Sequence, residues 1–70
     1  MAESVYKVIE LVGTSSESWE KAALAAITKA SETLRDLRIA EVSAMDIHIC
    51  EGKPEFRTKL KVSFKFEGHH

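Results

Sequence analysis

Cysteine, proline and glycine are scarce, numbering one, one and three in 70 residues. The single cysteine, Cys50, cannot form an intrachain disulfide, so no disulfide framework holds the chain together. A reducing, cytoplasmic setting is the expectation. Charge of one sign is lacking too: ten Lys/Arg stand against eleven Asp/Glu, a net of −1. That balance argues against a dedicated nucleic-acid binder, which shows a strongly basic face. It equally argues against an acidic disordered tail, since 44% hydrophobic with 30% charged residues is an ordinary globular mixture. No run approaches the roughly 18–20 apolar residues of a membrane span, and no basic start leads into an apolar stretch, so neither membrane nor secretory signal is expected. His69 and His70, after Gly68, look like the remnant of an affinity tag; one domain is expected over 1–68.

Size sets the next expectation. A domain of about 60 residues buries only about 60% of the surface its unfolded chain exposes. Without disulfides or a metal cluster, association is the remaining source of buried area.

Residues 4–12 are rich in β-branched and aromatic side chains and run up to Gly13, which predicts a strand. Thr14 with Glu17 three residues later forms a capping-box pattern. From Ser18 to about Leu37 there is no glycine or proline, and Trp19, Ala23, Ala26, Ile27, Ala30, Leu34 and Leu37 recur at helical spacing. Glu17 and Lys21 make a favourable i,i+4 pair. Alternation returns from Arg38 to Cys50, and Glu51-Gly52-Lys53 supplies a turn, with Pro54 at the entrance to the next strand. Phe56, Thr58, Leu60, Val62, Phe64 and Phe66 then alternate with Arg57, Lys59, Lys61, Ser63, Lys65 and Glu67. The order is strand, helix, strand, strand: an α+β, βαββ fold.

A three-residue turn at 51–53 sets Cys50 opposite Pro54. Ala40, Val42 and Ala44 then face the helix with Leu60, Val62 and Phe64. Ile39, Met45, Ile47 and Ile49 point away, an apolar patch beside Arg57, Lys59 and Lys61. Monomers rarely expose such a patch, so a subunit interface or ligand surface is expected.

Asp46, His48 and Cys50 superficially resemble a catalytic set. On a strand they stand about 6.6 Å apart at each step, whereas a nucleophile and its base need roughly 2.6–3.2 Å. Metal binding meets the same spacing problem unless copies of the chain converge. Trp19 is expected in the core rather than in a stacking role. Lys59, Lys61 and Lys65 are candidates to meet phosphate, set against a plainly solvated face because Glu41 and Glu67 share it. No phosphate-cradling glycine loop, zinc spacing or paired-carboxylate site is present. The residues alone thus lead to an oligomeric, non-enzymatic protein.

Val-Tyr-Lys-Val-Ile-Glu-Leu-Val-Gly-Thr-Ser at 5–15, with Ser-Trp-Glu-Lys-Ala at 18–22, resembles the opening of the dodecins. Thr33-Leu34-Arg35, Glu41-Val42 and Lys59-Leu60-Lys61-Val62-Ser63-Phe64 resemble that family's middle and final strand. The resemblance covers essentially the whole chain. It implies a three-stranded antiparallel sheet packed on one helix, assembled into a hollow homododecamer. It further implies sequestration of a flavin (FMN or riboflavin) between aromatic side chains at a symmetry interface.

The chain departs from that pattern where flavin would bind. Ile39 stands at the position of the flavin-stacking tryptophan, Arg57 at that of the glutamine on the flavin's pyrimidine edge, and Ala44 at that of an acidic residue. With Met45, these form the expected cofactor-binding set: Ile39, Ala44, Met45 and Arg57. In lacking the tryptophan, the chain is similar to a branch for which divalent cations, including calcium, have been proposed as ligands. Calcium takes six to eight oxygens, so Glu41 and Asp46, the candidate metal ligands, would have to be pooled across subunits. The expected function is therefore small-ligand storage by a homododecamer, with flavin at an altered site. The alternative is a shell binding a divalent cation or another small anionic ligand. No enzyme activity, nucleic acid or membrane partner is expected.

Overall fold

A computed structural model describes residues 3–65. The expectations for Phe66, Glu67 and the His69–His70 pair lie outside the described residues. Strand β1 spans Tyr6–Ser15, helix α1 Trp19–Ser31, strand β2 Leu37–Cys50 and strand β3 Lys53–Lys65. The sheet is antiparallel in the order β1-β3-β2, so the strand with the clearest alternation is the central one.

β1 continues through Gly13 because the helix passes directly over it. A Cβ there would sit 1.9 Å from the Ala22 carbonyl oxygen and 3.1 Å from the Ala26 Cβ. Glycine is thus fixed by close approach of backbone to backbone. Thr14 belongs to the strand and caps nothing; Ser18 is the N-cap, its Oγ accepting from the Lys21 amide at 3.0 Å. Ser15 Oγ accepts from the Glu17 amide at 2.9 Å, and the expected Lys21–Glu17 pair is formed. Ala22, Ala26 and Ala30 make a buried stripe of small side chains at i,i+4, letting the helix lie close on Leu60 and Val62. Ile9, Leu11, Ala23, Ile27 and Leu37 pack around them.

The helix ends at Ser31, short of the expected Leu37. The chain must reverse to enter β2, and it does so with Asp36 in the left-handed region at φ 57°. Leu34 lies outside the helix and Leu37 begins the next strand.

The β2–β3 turn also differs from expectation. It has two residues, not three: Cys50 pairs with Lys53, and Glu51 and Gly52 both have positive φ, 52° and 77°. That is the backbone of a primed two-residue hairpin turn, whose twist suits the strands. The register shifts by one residue between Val42 and Ala44, and again between Leu37 and Ile39. As a result Ala40 and Val42 do face the helix, opposite Val62 and Leu60, whereas Ala44 faces away opposite Lys59. Met45 and Ile47 stand opposite Thr58 and Phe56, on the helix side of the sheet rather than the far side. Ile49, opposite Pro54, shares that side. Of the expected outward patch, only Ile39 points away from the helix.

Little of this surface is covered. Among the described residues few side chains are fully buried, the largest being Leu60, Val62 and Thr58, while Val42, Met45, Ile47 and Ile49 are 44–71% exposed. The chain measures 53 × 21 × 15 Å, too elongated for one 13-residue helix to cover. Among the described residues no helix is long and apolar enough to cross a membrane.

Candidate functional site

The sheet face away from the helix, hereafter the open face, carries the polar chemistry. Strand alternation places Tyr6, Val8, Glu10, Val12 and Thr14 there from β1, opposite Lys65, Ser63, Lys61, Lys59 and Arg57 of β3. β2 adds Ile39 opposite Ser63, Glu41 opposite Lys61, Ala44 opposite Lys59, Asp46 opposite Arg57 and His48 opposite Glu55. Tyr6, Val8, Val12 and Ile39 are each about half or more exposed. They form the apolar part of this face.

One interaction dominates its electrostatics. Arg57 donates from Nε to Asp46 Oδ1 at 2.7 Å and from Nη2 to Oδ2 at 2.8 Å, a bidentate fork. The hydrogen bond from Arg57 holds the Asp46 carboxyl below the ordinary carboxylate range, and Lys59 adds to the same effect. Arg57 is in turn held more firmly protonated. The Asp46 backbone carbonyl is occupied too, accepting from Trp19 Nε1 at 3.0 Å. Trp19 packs edge-on against Phe56, ring centroids 5.1 Å apart, and its carbonyl accepts from buried Thr58 Oγ1 at 2.9 Å. Trp19 thus clamps the helix start to β2 and β3.

Of the residues expected to meet a ligand, Ile39, Ala44 and Arg57 lie on the open face, whereas Met45 lies behind it. Ile39 and Arg57 are not neighbours. Ser63, opposite Ile39, is six residues from Arg57, about 20 Å along a strand. On one chain, a ligand much shorter than that does not touch both. Glu41 and Asp46 also share the open face, each with a cation across from it: Lys61 and Arg57. Among the described residues no group of three His, Cys, Asp or Glu converges as a metal site would require. His48 Nδ1 meets Glu55 Oε1 at 3.3 Å, so Asp46 and His48 have separate cross-strand partners and do not meet each other.

A depression of about 170 Å3 opens on this face, lined by Val12, Ala44, Asp46, Arg57 and Lys59. Val12 was not among the residues singled out from the sequence. Its signal is the alternation of β1, which sets Val12 beside Lys59 once the β1–β3 register is known.

The dodecin family model matches residues 5–67. Calcium dodecin of Mycobacterium tuberculosis is 48% identical over 63 residues, 89% of each chain. Dodecin of Thermus thermophilus is 45% identical over 64 residues, 90% of this chain and 93% of that one. The crystal structure of the Mycobacterium tuberculosis protein, described as calcium-chelating with a novel calcium-binding site, superposes with a TM-score of 0.86 at 44% identity. It spans 96% of this chain and 97% of that one. Dodecin from Streptomyces coelicolor superposes with a TM-score of 0.90 at 36% identity over 99% and 100% of the two chains. With the βαββ order, the strand register and the match over nearly all of its length, this chain belongs to the dodecin family.

Proposed function

We propose that the chain assembles as a homododecamer and stores a small ligand on its open sheet face, where copies meet. Dodecins are small binding or storage proteins and not enzymes, and the proposal keeps to that class. The observation that carries it is the separation of Ile39 from Arg57. One chain offers two half-sites about 20 Å apart, and a neighbouring copy joins one half to the other. The uncovered apolar residues on both faces supply the driving force for that association.

Flavin, as FMN or riboflavin, is the first ligand to consider, at a site walled by Ile39, Ala44 and Arg57. Isoleucine packs against a ring face but lacks the π-system that adds roughly 0.5–1.5 kcal/mol per stacked pair. Arginine has donors only, where a flavin edge presents both a donor and acceptors. Weak flavin binding with little quenching is the consequence. Protein purified from a flavin-rich host tests this by its visible spectrum: flavin bands removable by dialysis support it. A colourless protein that takes up no added flavin overturns it.

The second reading is divalent cation binding, favoured by the 48% identity to a protein named calcium dodecin. Here Glu41 and Asp46 would be pooled between copies, and a cation at Asp46 would compete with the Arg57 guanidinium. Equilibrium dialysis with calcium separates the readings.

A further inference from the structure

The charges of the open face leave one cation at the depression without a counterion across from it. Arg57, Lys59 and Lys61 project from central strand β3 at steps of about 6.6 Å, and Lys65 follows about 13 Å beyond Lys61, past Ser63. Arg57 is gripped by Asp46. Lys61 is flanked on both sides by carboxylates, Glu10 of β1 and Glu41 of β2. Lys65 stands at the last described rung beside Tyr6, outside the depression. Lys59 has only Val12 and Ala44 across from it, and it lines the depression. The nearby carboxylate, Asp46, already has both oxygens on Arg57.

Donors exceed acceptors here. Arg57 uses its Nε–H and one Nη2–H on Asp46, which leaves three of the five guanidinium N–H groups, and the Lys59 ammonium adds three more. Two cations against one carboxylate give the depression a net positive charge. Ser43 Oγ donates to the Lys59 carbonyl at 3.3 Å, steadying the strand at that residue.

We propose that this depression is an anion subsite for a phosphate-class group, held by Lys59 and by the free edge of Arg57. The inference rests on the open face being the ligand face and names the chemistry of one part of it. It requires neither flavin nor calcium.

Isothermal titration of pyrophosphate into the assembled protein tests it. Saturable binding is expected, weakened at least about tenfold by Lys59→Gln, as loss of a charge-assisted contact implies. Lys59→Arg restores it. Lys61→Gln, removing a cation that two glutamates offset, changes it less than about threefold. Absence of saturable binding overturns the proposal, and so do equal losses in the Lys59 and Lys61 variants, which mark diffuse attraction. Parallel titration with riboflavin separates the two readings. Pyrophosphate binding without flavin uptake removes the flavin reading alone; flavin uptake without pyrophosphate binding removes this inference alone.

Discussion

Asp46 is bonded through both its side chain and its backbone, to Arg57 across the β2–β3 hairpin and to Trp19 at the start of the helix. The carboxylate contact belongs to the open face, and the carbonyl contact ties β2 to the helix. Whatever pulls on the Arg57–Asp46 fork is therefore one residue away from the indole, which makes Trp19 a natural fluorescence reporter of that fork.

The fork sets a pH dependence with a definite sign. Asp46 has a folded-state pKa lowered chiefly by the hydrogen bond from Arg57. A depressed carboxyl contributes stability at pH values above its unfolded pKa and loses that contribution as pH falls through the folded value. The fork should thus hold at neutral pH and fail only in acid beneath the usual aspartate range. Carbon-detected NMR titration of Asp46 checks this: the midpoint should rise in Arg57→Gln. An unchanged midpoint would show that Arg57 is not the cause.

Gly13 offers a sharper stability test. The Ala22 carbonyl lies where a Cβ would go, and that carbonyl is helix backbone, not the flexible end of a side chain. Gly13→Ala should force the helix off the sheet at its closest point, costing about 1–3 kcal/mol as overpacking does. Thermal unfolding measures it. Gly52→Ala meets no atom within 4 Å but sits at φ 77°, so its milder loss has a different origin, backbone strain.

These two glycines show what the sequence makes legible. The alternation of β3 and the alanine stripe of the helix are periodic, and periodicity survives translation into structure. A strand that changes period once does not. Val42 and Met45 are three apart, with small Ser43 and Ala44 between them, and both face the helix because the bulge absorbs the extra residue. Strict alternation instead groups Met45 with Ile39 and turns half the strand over. The spacing of three was the available signal. The proposed meeting of Ile39 and Arg57 had none, since it would depend on a second chain.

Assembly follows from the corrected faces. Met45, Ile47 and Ile49 extend along the helix side of the hairpin yet remain 44–71% exposed. Ile47→Asp places an unpaired charge where a neighbouring copy would bury it, a cost of several kcal/mol. Sedimentation velocity should show species smaller than the dodecamer for that variant. For the unmodified chain the thermal midpoint should rise with protein concentration, by mass action. An intact dodecamer of Ile47→Asp would place the contact elsewhere.

The proposed flavin site gives the most specific test, because on that proposal its two altered walls come from different copies. Ile39 and Arg57 stand about 20 Å apart on one chain, so a variant at either position changes one half of each composite site. Restoring ring stacking on both sides of a symmetric ligand adds on the order of 1–3 kcal/mol, taking the aromatic-pair figure once per face. At about 1.4 kcal/mol per decade this is roughly five- to 150-fold in affinity. Arg57→Gln also frees Asp46 from its fork and offers the ligand edge an acceptor beside a donor. The double variant Ile39→Trp with Arg57→Gln should therefore bind riboflavin more tightly and quench its fluorescence, where the unmodified chain binds weakly and quenches little. Fluorescence titration of both proteins measures each effect in one experiment. Tight binding by the unmodified chain, or no gain in the double variant, would mean that Ile39 and Arg57 do not wall a common site. A gain confined to quenching would place Ile39 against the ring and Arg57 away from its edge.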